Sequence, residues 1–461
     1  MSHCNGGAVN TGDTTWVLVA TTLVLGMMPG IAFFEAGLLR SKNSLSIILQ
    51  VVSGIVMLSV LWTVVGYSLV FGTDNFGFIG DLKHIMLVDV PYDDCTKYAP
   101  NIPAGAFALF MMMFAAITPL LMTGAYAERM PAASSWLFSF LWEILIFYPV
   151  AHWIWGGGWL KPEGCTDSDR WLCAQDFAGG IVIHTTAGTG SIVVAKMLGR
   201  RNGYDRYHGE FPPSNIPLAA VGAAFLWLGW FGFNAGSALQ SGAVATSAIV
   251  STQIAASCCA LVWIISSGIL NEEHAHRPMA ENFGKPSVVG ALNGVMAGLA
   301  GVTPASGFIN TQSTIILGLI LGLTSFPAQR ILKHKLRIDD ALDVSVVHGL
   351  TGVIGSLFIG FAAESSLADG GRDGIFFGTH SFALLMSQIV AVLAAMVWAG
   401  VWTYVIVKIV AATTGLRVSD EDEEVGLDLS QHGEFAYHNL QLKGQEPLFK
   451  EGGDDHSMYG I

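Results

Sequence analysis

The chain has 461 residues, of which only 12% are charged, whereas ordinary soluble domains carry about 25% charged residues. Its mean hydropathy of +0.53 excludes a water-soluble globular protein and predicts an all-α protein that crosses a membrane several times. The net charge of -13 says little about partners, because many acids lie in the carboxy-terminal tail, above all in the run 420–424. We interpret that run as a solvated linker.

Runs of about 20 apolar residues are long enough to cross the hydrocarbon core of a membrane as helices. Before Trp16 there is neither a basic stretch nor a small-residue cleavage site, so the first run is predicted to be a membrane helix and not a removed signal peptide. Eleven helices are predicted, near residues 16–39, 48–72, 103–127, 134–156, 176–198, 216–239, 243–270, 287–305, 311–331, 341–363 and 381–411.

The short loops indicate how the chain is oriented. Basic residues cluster in alternate loops, and this pattern predicts that those loops face the cytoplasm. An odd number of crossings places the termini on opposite faces, so the N-terminus is expected outside and the C-terminus inside. The basic residues concerned are Arg40, Lys42, Arg129, Lys196, Arg200, Arg201, Arg277, Lys285, Arg330, Lys333, Lys335 and Arg337.

These features divide the chain into three parts. Residues 1–15 are predicted to be an extracellular segment, residues 16–412 the membrane domain, and residues 413–461 a cytoplasmic tail. The tail shows no pattern of a folded signalling domain, and its composition from Gly444 onward is typical of disorder.

Four cysteines, Cys4, Cys95, Cys165 and Cys173, fall on the predicted outer face, where oxidising conditions permit disulfides. Cys165 and Cys173 are near enough in sequence to pair within one loop, which would leave Cys4 with Cys95. The sequence does not fix the connectivity, and free thiols are an alternative.

His184 and His348 each lie within a long apolar run, where an ionisable side chain is costly and is expected to face a site inside the bundle. Each follows an aspartate, Asp176 or Asp340, by eight residues and precedes a glycine by four. The repetition predicts two related halves, helices one to five and six to ten, inverted with respect to each other and followed by a final helix. The glycines would let two helices approach closely and bring the imidazoles together.

Several longer segments point to one known family. They are TGAYAERM (residues 123–130), HWIWGGGWL (152–160), DFAGG before His184, FNAGSAL (233–239), DVSVVHG (343–349), TGLRV (414–418) and GLDLSQHGEFAY (426–437). Together they resemble the ammonium transporter family, in its Amt/Mep branch, whose relatives are the Rh proteins. The resemblance extends from about Thr14 to Tyr437.

The resemblance implies a homotrimer in the plasma membrane, in which each eleven-helix subunit encloses its own pore. It also implies an outer site that recruits ammonium, formed by Trp155, Ser237, Phe114 and Phe233. An aromatic face stabilises a nearby cation by about 0.5–2 kcal/mol, which compensates for part of its lost hydration. A serine hydroxyl can accept a hydrogen bond from one N–H group of ammonium. Without the family resemblance, each of these aromatic residues could equally be helix packing or an interfacial belt.

Further along the implied pore, His184 and His348 share a hydrogen bond between ring nitrogens. Asp176 is placed at the outer start of the fifth helix, where a structural cap and electrostatic support for cation entry are both compatible with its position. Asp340 and Asp343 lie near the cytoplasmic start of the tenth helix, and Asp343 is expected to order the inner vestibule.

The implied mechanism is capture of ammonium, loss of a proton near the phenylalanines, passage of ammonia between the histidines and reprotonation inside. Potassium has a similar size and no proton to lose, so it would be excluded. The chain would be a transporter and not an enzyme, with no cofactor, metal or nucleic acid. Its partners would be ammonium or ammonia, with methylammonium as a candidate analogue, the lipid bilayer, and a cytoplasmic regulator or kinase acting on the tail.

Three other functions are alternatives. A gas channel of the Rh type would keep the paired histidines but is expected to lack the outer cation site that Trp155 and Ser237 would provide. An ammonium sensor with incidental transport would need signalling through the tail. A membrane metalloenzyme is disfavoured because no HExxH motif occurs. Five other histidines are interpreted as ordinary surface or interfacial residues: His152, His84, His208, His274 and His276.

Overall fold

The structure, a computed structural model, describes residues 4, 8–162, 172–269, 285–368, 370–378 and 380–437. Over these residues it contains ten helices long and apolar enough to cross a membrane and one shorter apolar helix, which confirms the predicted polytopic helical fold. In chain order the helices are α1 Thr11–Leu38, α2 Ser41–Phe71, α3 Ala104–Tyr126, α4 Ala132–Trp155, α5 Gly180–Leu198, α6 Ile216–Gly236, α7 Ala243–Ile269, α8 Val288–Val302, α9 Thr311–Lys335, α10 Ser345–Ala362 and α11 Ala383–Thr413.

Polar caps explain why several helices begin where they do. The side chain of Asn10 accepts a hydrogen bond from the backbone N–H of Asp13, so α1 starts before the apolar run that predicted it. Asn215, Ser287 and Asn310 cap α6, α8 and α9 in the same way. Hydropathy alone marks the apolar stretch of a helix, whereas the cap determines its first residue.

The helices that correspond in the two halves pack against each other. Where α5 meets α10, a Cβ on Gly352 would lie 2.7 Å from the Cβ of His184. Where α1 meets α6, a Cβ on Gly37 would lie 2.4 Å from the backbone nitrogen of Ala219, and one on Gly222 would lie 2.2 Å from that of Phe34. Only glycine permits these approaches, which bring backbone to backbone in the centre of the bundle.

Successive helices run in opposite directions, so the bundle has two faces. The amino-terminal face is the end where α1 begins and carries two small antiparallel ribbons, β1 (Asp74–Asn75) with β2 (Ile79–Gly80) and β3 (Cys95–Thr96) with β4 (Ala99–Pro103). Cys4 and Cys95 form a disulfide there. Cys173 is also disulfide-bonded, and Cys165 lies outside the described residues.

The outer surface of the bundle is apolar. Val56 on α2, Leu323 on α9 and Val397 on α11 are 63%, 64% and 65% exposed. Apolar side chains form no hydrogen bonds with water. A multi-pass membrane protein therefore places them against lipid or a neighbouring subunit.

The carboxy-terminal face is the end where α11 finishes and the tail begins. Two short helices of the tail, α12 (Asp420–Val425) and α13 (Leu427–His432), pack under the bundle. The side chain of Glu423 is fully buried: Oε2 accepts from Arg417 at 2.6 Å and Oε1 from the backbone N–H of Asn202 at 2.6 Å. The interpretation of 420–424 as a solvated linker is therefore wrong, because one acid of the run is an internal ion-pair partner.

Candidate functional site

A cleft opens on the amino-terminal face, and Trp155, Ser237, Phe114 and Asp176 all line it. These residues come from the end of α4, the end of α6, the middle of α3 and the segment before α5. Trp155 and Ser237 are half-buried, whereas Phe114 is 1% exposed. The indole nitrogen of Trp155 donates a hydrogen bond of 3.0 Å to the backbone oxygen of Asp176, which fixes the orientation of the ring.

The carboxylate of Asp176 accepts hydrogen bonds from four backbone N–H groups. Its Oδ1 accepts from the N–H groups of Gly179 at 2.9 Å and Gly180 at 2.7 Å, and its Oδ2 from those of Ile181 at 2.8 Å and Val182 at 3.0 Å. Four N–H groups at the start of α5 are thereby satisfied. This geometry is that of a structural cap, and it holds the buried side chain of Asp176 close to the cleft.

Two phenylalanine rings lie at the bottom of the cleft. The rings of Phe114 and Phe233 are stacked, with centroids 4.2 Å apart and planes inclined by 15°. The Trp155 ring meets Phe114 edge-on, with centroids 6.1 Å apart. The hydroxyl of Ser237 donates to the backbone oxygen of Phe233 at 2.9 Å, so its two lone pairs are available as acceptors. A stacked pair of this kind separates the cleft from the interior of the bundle.

Beyond the phenylalanines lie the two histidines. The Nδ1 atoms of His184 and His348 are 3.2 Å apart, which requires one imidazole to donate and the other to accept. His184 is 1% exposed, and its Nε2 has no hydrogen-bond partner among the described residues. His348 is half-buried and lines a second cavity, on the carboxy-terminal side of the pair. Each helix begins with a π-helical turn that contains the histidine, Gly180–Thr185 in α5 and Ser345–Leu350 in α10.

Trp230 is a residue of the site that the sequence analysis did not single out. Its indole ring is parallel to both imidazoles, with centroids 5.6 Å from His184 and 6.3 Å from His348. Its Nε1 donates to the hydroxyl of Thr303 at 2.8 Å. Trp230 precedes Phe233 by three residues on α6, and this helical spacing could have indicated that both rings face the same interior.

The acids near the start of α10 have separate partners. Asp340 accepts from the backbone N–H of Ser345 at 2.7 Å and from its hydroxyl at 2.6 Å, as a cap of α10. Asp343 pairs with Lys333 at 2.9 Å and accepts from Gln329 at 2.7 Å. Asp340 therefore parallels Asp176, whereas Asp343 ties α10 to α9.

The interpretation of His152 as an ordinary surface or interfacial residue is wrong. His152 is completely buried, and its two ring nitrogens contact the backbone oxygen of Val70 at 2.7 Å and the carboxylate of Asp74 at 2.8 Å. It joins α4 to the end of α2 and to β1, three residues before Trp155. His152 thus supports the wall of the cleft without lining it.

A metal site is not apparent around the histidine pair. Within the described ranges, the one group of three His, Cys, Asp or Glu atoms close enough to share an ion is Cys4, Asp94 and Cys95. Its two thiols are joined in a disulfide, which removes them as thiolate ligands.

Comparisons with known proteins give matches over most of the chain. A family model described as "Ammonium Transporter Family" matches residues 15–437. The chain is 56% identical to ammonium transporter 1 of Dictyostelium discoideum, over 99% of this chain and 93% of the relative. It is 39% identical to ammonium transporter Amt1 of Archaeoglobus fulgidus, over 93% of this chain and 100% of the relative.

Two solved structures have a similar fold. The crystal structure of Candida albicans Mep2 superimposes with a TM-score of 0.79 at 31% identity, over 93% of this chain and 91% of that one. A protein described as a sensor Amt protein superimposes with a TM-score of 0.77 at 28% identity, over 91% of this chain and 98% of that one.

Proposed function

The chain belongs to the ammonium transporter family, and on that premise we propose that it recruits ammonium at its amino-terminal face and conducts ammonia between His184 and His348. The observation that carries this proposal is the order of groups along the bundle. An aromatic cleft, a stacked phenylalanine pair, two hydrogen-bonded imidazoles and a second cavity follow one another from one face towards the other.

Recruitment takes place where Trp155 and Ser237 line the cleft. A cation–π interaction with the indole face stabilises the bound cation by about 0.5–2 kcal/mol. The serine oxygen accepts a hydrogen bond from one N–H group of ammonium. The charge of Asp176, held by the four amides of α5, favours a cation in the cleft without touching it. Because Phe114 and Phe233 are in contact, a passing molecule has to displace them and leave its water behind.

Selectivity follows from the loss of a proton. Potassium and ammonium have the same charge and similar size, and a hydrated pore would pass both. Ammonium can release a proton to the water of the cleft before it enters the interior as ammonia. Potassium has no proton to lose, so it would have to enter as a charged ion and would bear the whole cost of desolvation. Neutral imidazoles then offer ammonia one donor and one acceptor in a space where a charged side chain would be too costly.

The orientation and assembly of the molecule complete the proposal. Basic residues in the loops of the carboxy-terminal face support a cytoplasmic position for that face and an outer position for the cleft. The subunit is proposed to act in the plasma membrane as a homotrimer, whose contacts would cover part of the exposed apolar surface. The tail, with α12 and α13 under the bundle, is the segment on which a cytoplasmic regulator or kinase would act.

The experiment is transport by the purified protein in liposomes. Methylammonium uptake and potassium flux are measured for the wild type and for His184→Ala and His348→Ala. The wild type should take up methylammonium while remaining closed to potassium, and the two variants should lose uptake or selectivity. Potassium flux as fast as methylammonium uptake in the wild type would sink the proposal.

A sensor function is the second candidate, because one superimposable structure is described as a sensor Amt protein. The described part of the tail is short and packs under its own bundle, so it does not by itself favour signalling over transport.

Carbon dioxide permeability, measured beside methylammonium uptake, would distinguish a gas channel of the Rh type.

A further inference from the structure

The cavity on the carboxy-terminal side of the histidine pair contains an acid that the mechanism above does not use. Its lining is largely apolar, with three polar side chains, Glu35 from α1, Asn293 from α8 and His348 from α10. Glu35 is 4% exposed. A carboxyl group at such a depth is costly, and acids so placed in membrane proteins usually take part in moving protons or ions.

The hydrogen bonds to Glu35 come from neutral groups, the hydroxyl of Thr123 and the backbone of Gly124. The Oε2 atom of Glu35 accepts a hydrogen bond of 2.8 Å from the hydroxyl of Thr123 on α3, a neutral donor. None of the ion pairs formed within the described ranges includes Glu35. A carboxyl group in these surroundings favours the binding of a proton or of a cation.

Resting on the proposed function, we propose that Glu35 returns a proton to ammonia that has passed His348 and holds the resulting ammonium before it leaves. The lone pair of ammonia takes the carboxyl proton, so an O–H bond breaks, an N–H bond forms, and an ammonium–carboxylate pair results. When ammonium departs, the carboxylate takes a proton from water at the carboxy-terminal face. Glu35 is then restored, and each passage consumes one proton from that side.

This role differs in kind from that of the outer site. Trp155 and Ser237 bind a cation that is already formed, and they set how much ammonium is needed for uptake. Glu35 acts after the narrow passage and sets how fast ammonia is converted and released. A defect at Glu35 therefore lowers the maximal rate and leaves the apparent KM unchanged.

The test compares three variants as full-length protein in liposomes, with initial rates of methylammonium uptake measured over a range of concentrations. Glu35→Gln removes the acidic proton of the carboxyl group but keeps an oxygen that can accept the hydrogen bond from Thr123. Thr123→Val is the matched control, because it removes the same hydrogen bond and keeps the acid. Glu35→Asp restores an acid on a shorter side chain.

We expect Glu35→Gln to lower the maximal rate about 100-fold, at the lower end of what a positioned proton donor contributes, with the apparent KM unchanged. Thr123→Val should stay within about 2-fold of the wild type, and Glu35→Asp should recover part of the loss. A normal maximal rate in Glu35→Gln, or equal losses in Glu35→Gln and Thr123→Val, would overturn this inference while leaving the proposed function intact. Absence of uptake by the wild type would instead overturn the proposed function, and the inference with it.

Discussion

Gly188 lies directly against Gly349 where α5 crosses α10, so closely that a Cβ on Gly188 would be 2.1 Å from the Cα of Gly349. The crossing is one turn beyond His184 and one residue beyond His348 in sequence. The distance between the two imidazoles is therefore set by a contact between backbones, which no side chain can replace.

Substitution Gly188→Ala should separate α5 from α10. Inserting a methyl group into so close a contact costs about 1–3 kcal/mol, because the helices have to move apart. We expect a lower midpoint of thermal unfolding in detergent and loss of methylammonium uptake. Gly400→Ala on α11 is the control, since its added Cβ would meet Thr189 at an ordinary 3.6 Å. Unchanged uptake in Gly188→Ala would show that the helix crossing does not set the histidine geometry.

Substitution Trp155→Leu should weaken recruitment without stopping conduction. Loss of a cation–π contact of about 0.5–2 kcal/mol corresponds to a rise of about 2- to 30-fold in the apparent KM for ammonium. Initial rates of methylammonium uptake in liposomes, inhibited by increasing ammonium concentrations, measure this change. Trp136→Leu, at a ring that is 38% exposed on α4, serves as the matched variant and should keep the wild-type KM. The prediction fails if both variants show the same KM.

Asp339 should make the stability of the carboxy-terminal face depend on pH. Burial by itself would raise the pKa of Asp339, but the guanidinium groups of Arg201 and Arg129 outweigh it and lower the pKa to about 2. Because this folded-state pKa lies below the ordinary 3.8, the carboxylate stabilises the fold above about pH 4, and the contribution is lost as pH falls towards 2. The shift corresponds to about 2 kcal/mol.

Replacement Asp339→Asn should therefore lower the free energy of unfolding at pH 7 by about 2 kcal/mol or more, since Arg201 and Arg129 lose a buried partner. The deficit relative to the wild type should shrink between about pH 4 and pH 2 in thermal unfolding curves. Asp205→Asn is the control, because this acid is 66% exposed beside Arg200 and surface pairs contribute about 0–1 kcal/mol. A deficit that stays constant down to pH 2 would contradict the assignment.

Substitution Glu423→Gln should release the tail from the bundle. The amide keeps the size of the side chain but loses the charge that pairs with Arg417 at 2.6 Å and faces Arg40 at 3.7 Å. Limited proteolysis of the purified protein should then cut the chain after α11 faster than in the wild type. Glu421→Gln, at an exposed position of the same helix, should leave the cleavage rate unchanged. Equal cleavage of both variants would mean that α12 is not held by Glu423.

Sequence alone determined the class of the protein and much of its organisation. Apolar runs set the number and order of the helices, since a bilayer admits few ways to satisfy the backbone. The spacing of Asp176 and Asp340 from the two histidines indicated the repeat, and the family motifs named the residues of the cleft. These signals are local in the chain, so they can be read without coordinates.

Tertiary structure alone decided which groups meet. The stacking of Trp230 on the imidazoles, the burial of His152 and Glu423, and the place of Glu35 in the second cavity all join residues from different helices. Hydropathy counts an acid or a histidine as polar wherever it occurs, and it cannot tell a side chain that faces water from one that faces a partner on another helix. The close glycine contact between α5 and α10 brings His184 and His348 together, and that contact exists only in the folded bundle.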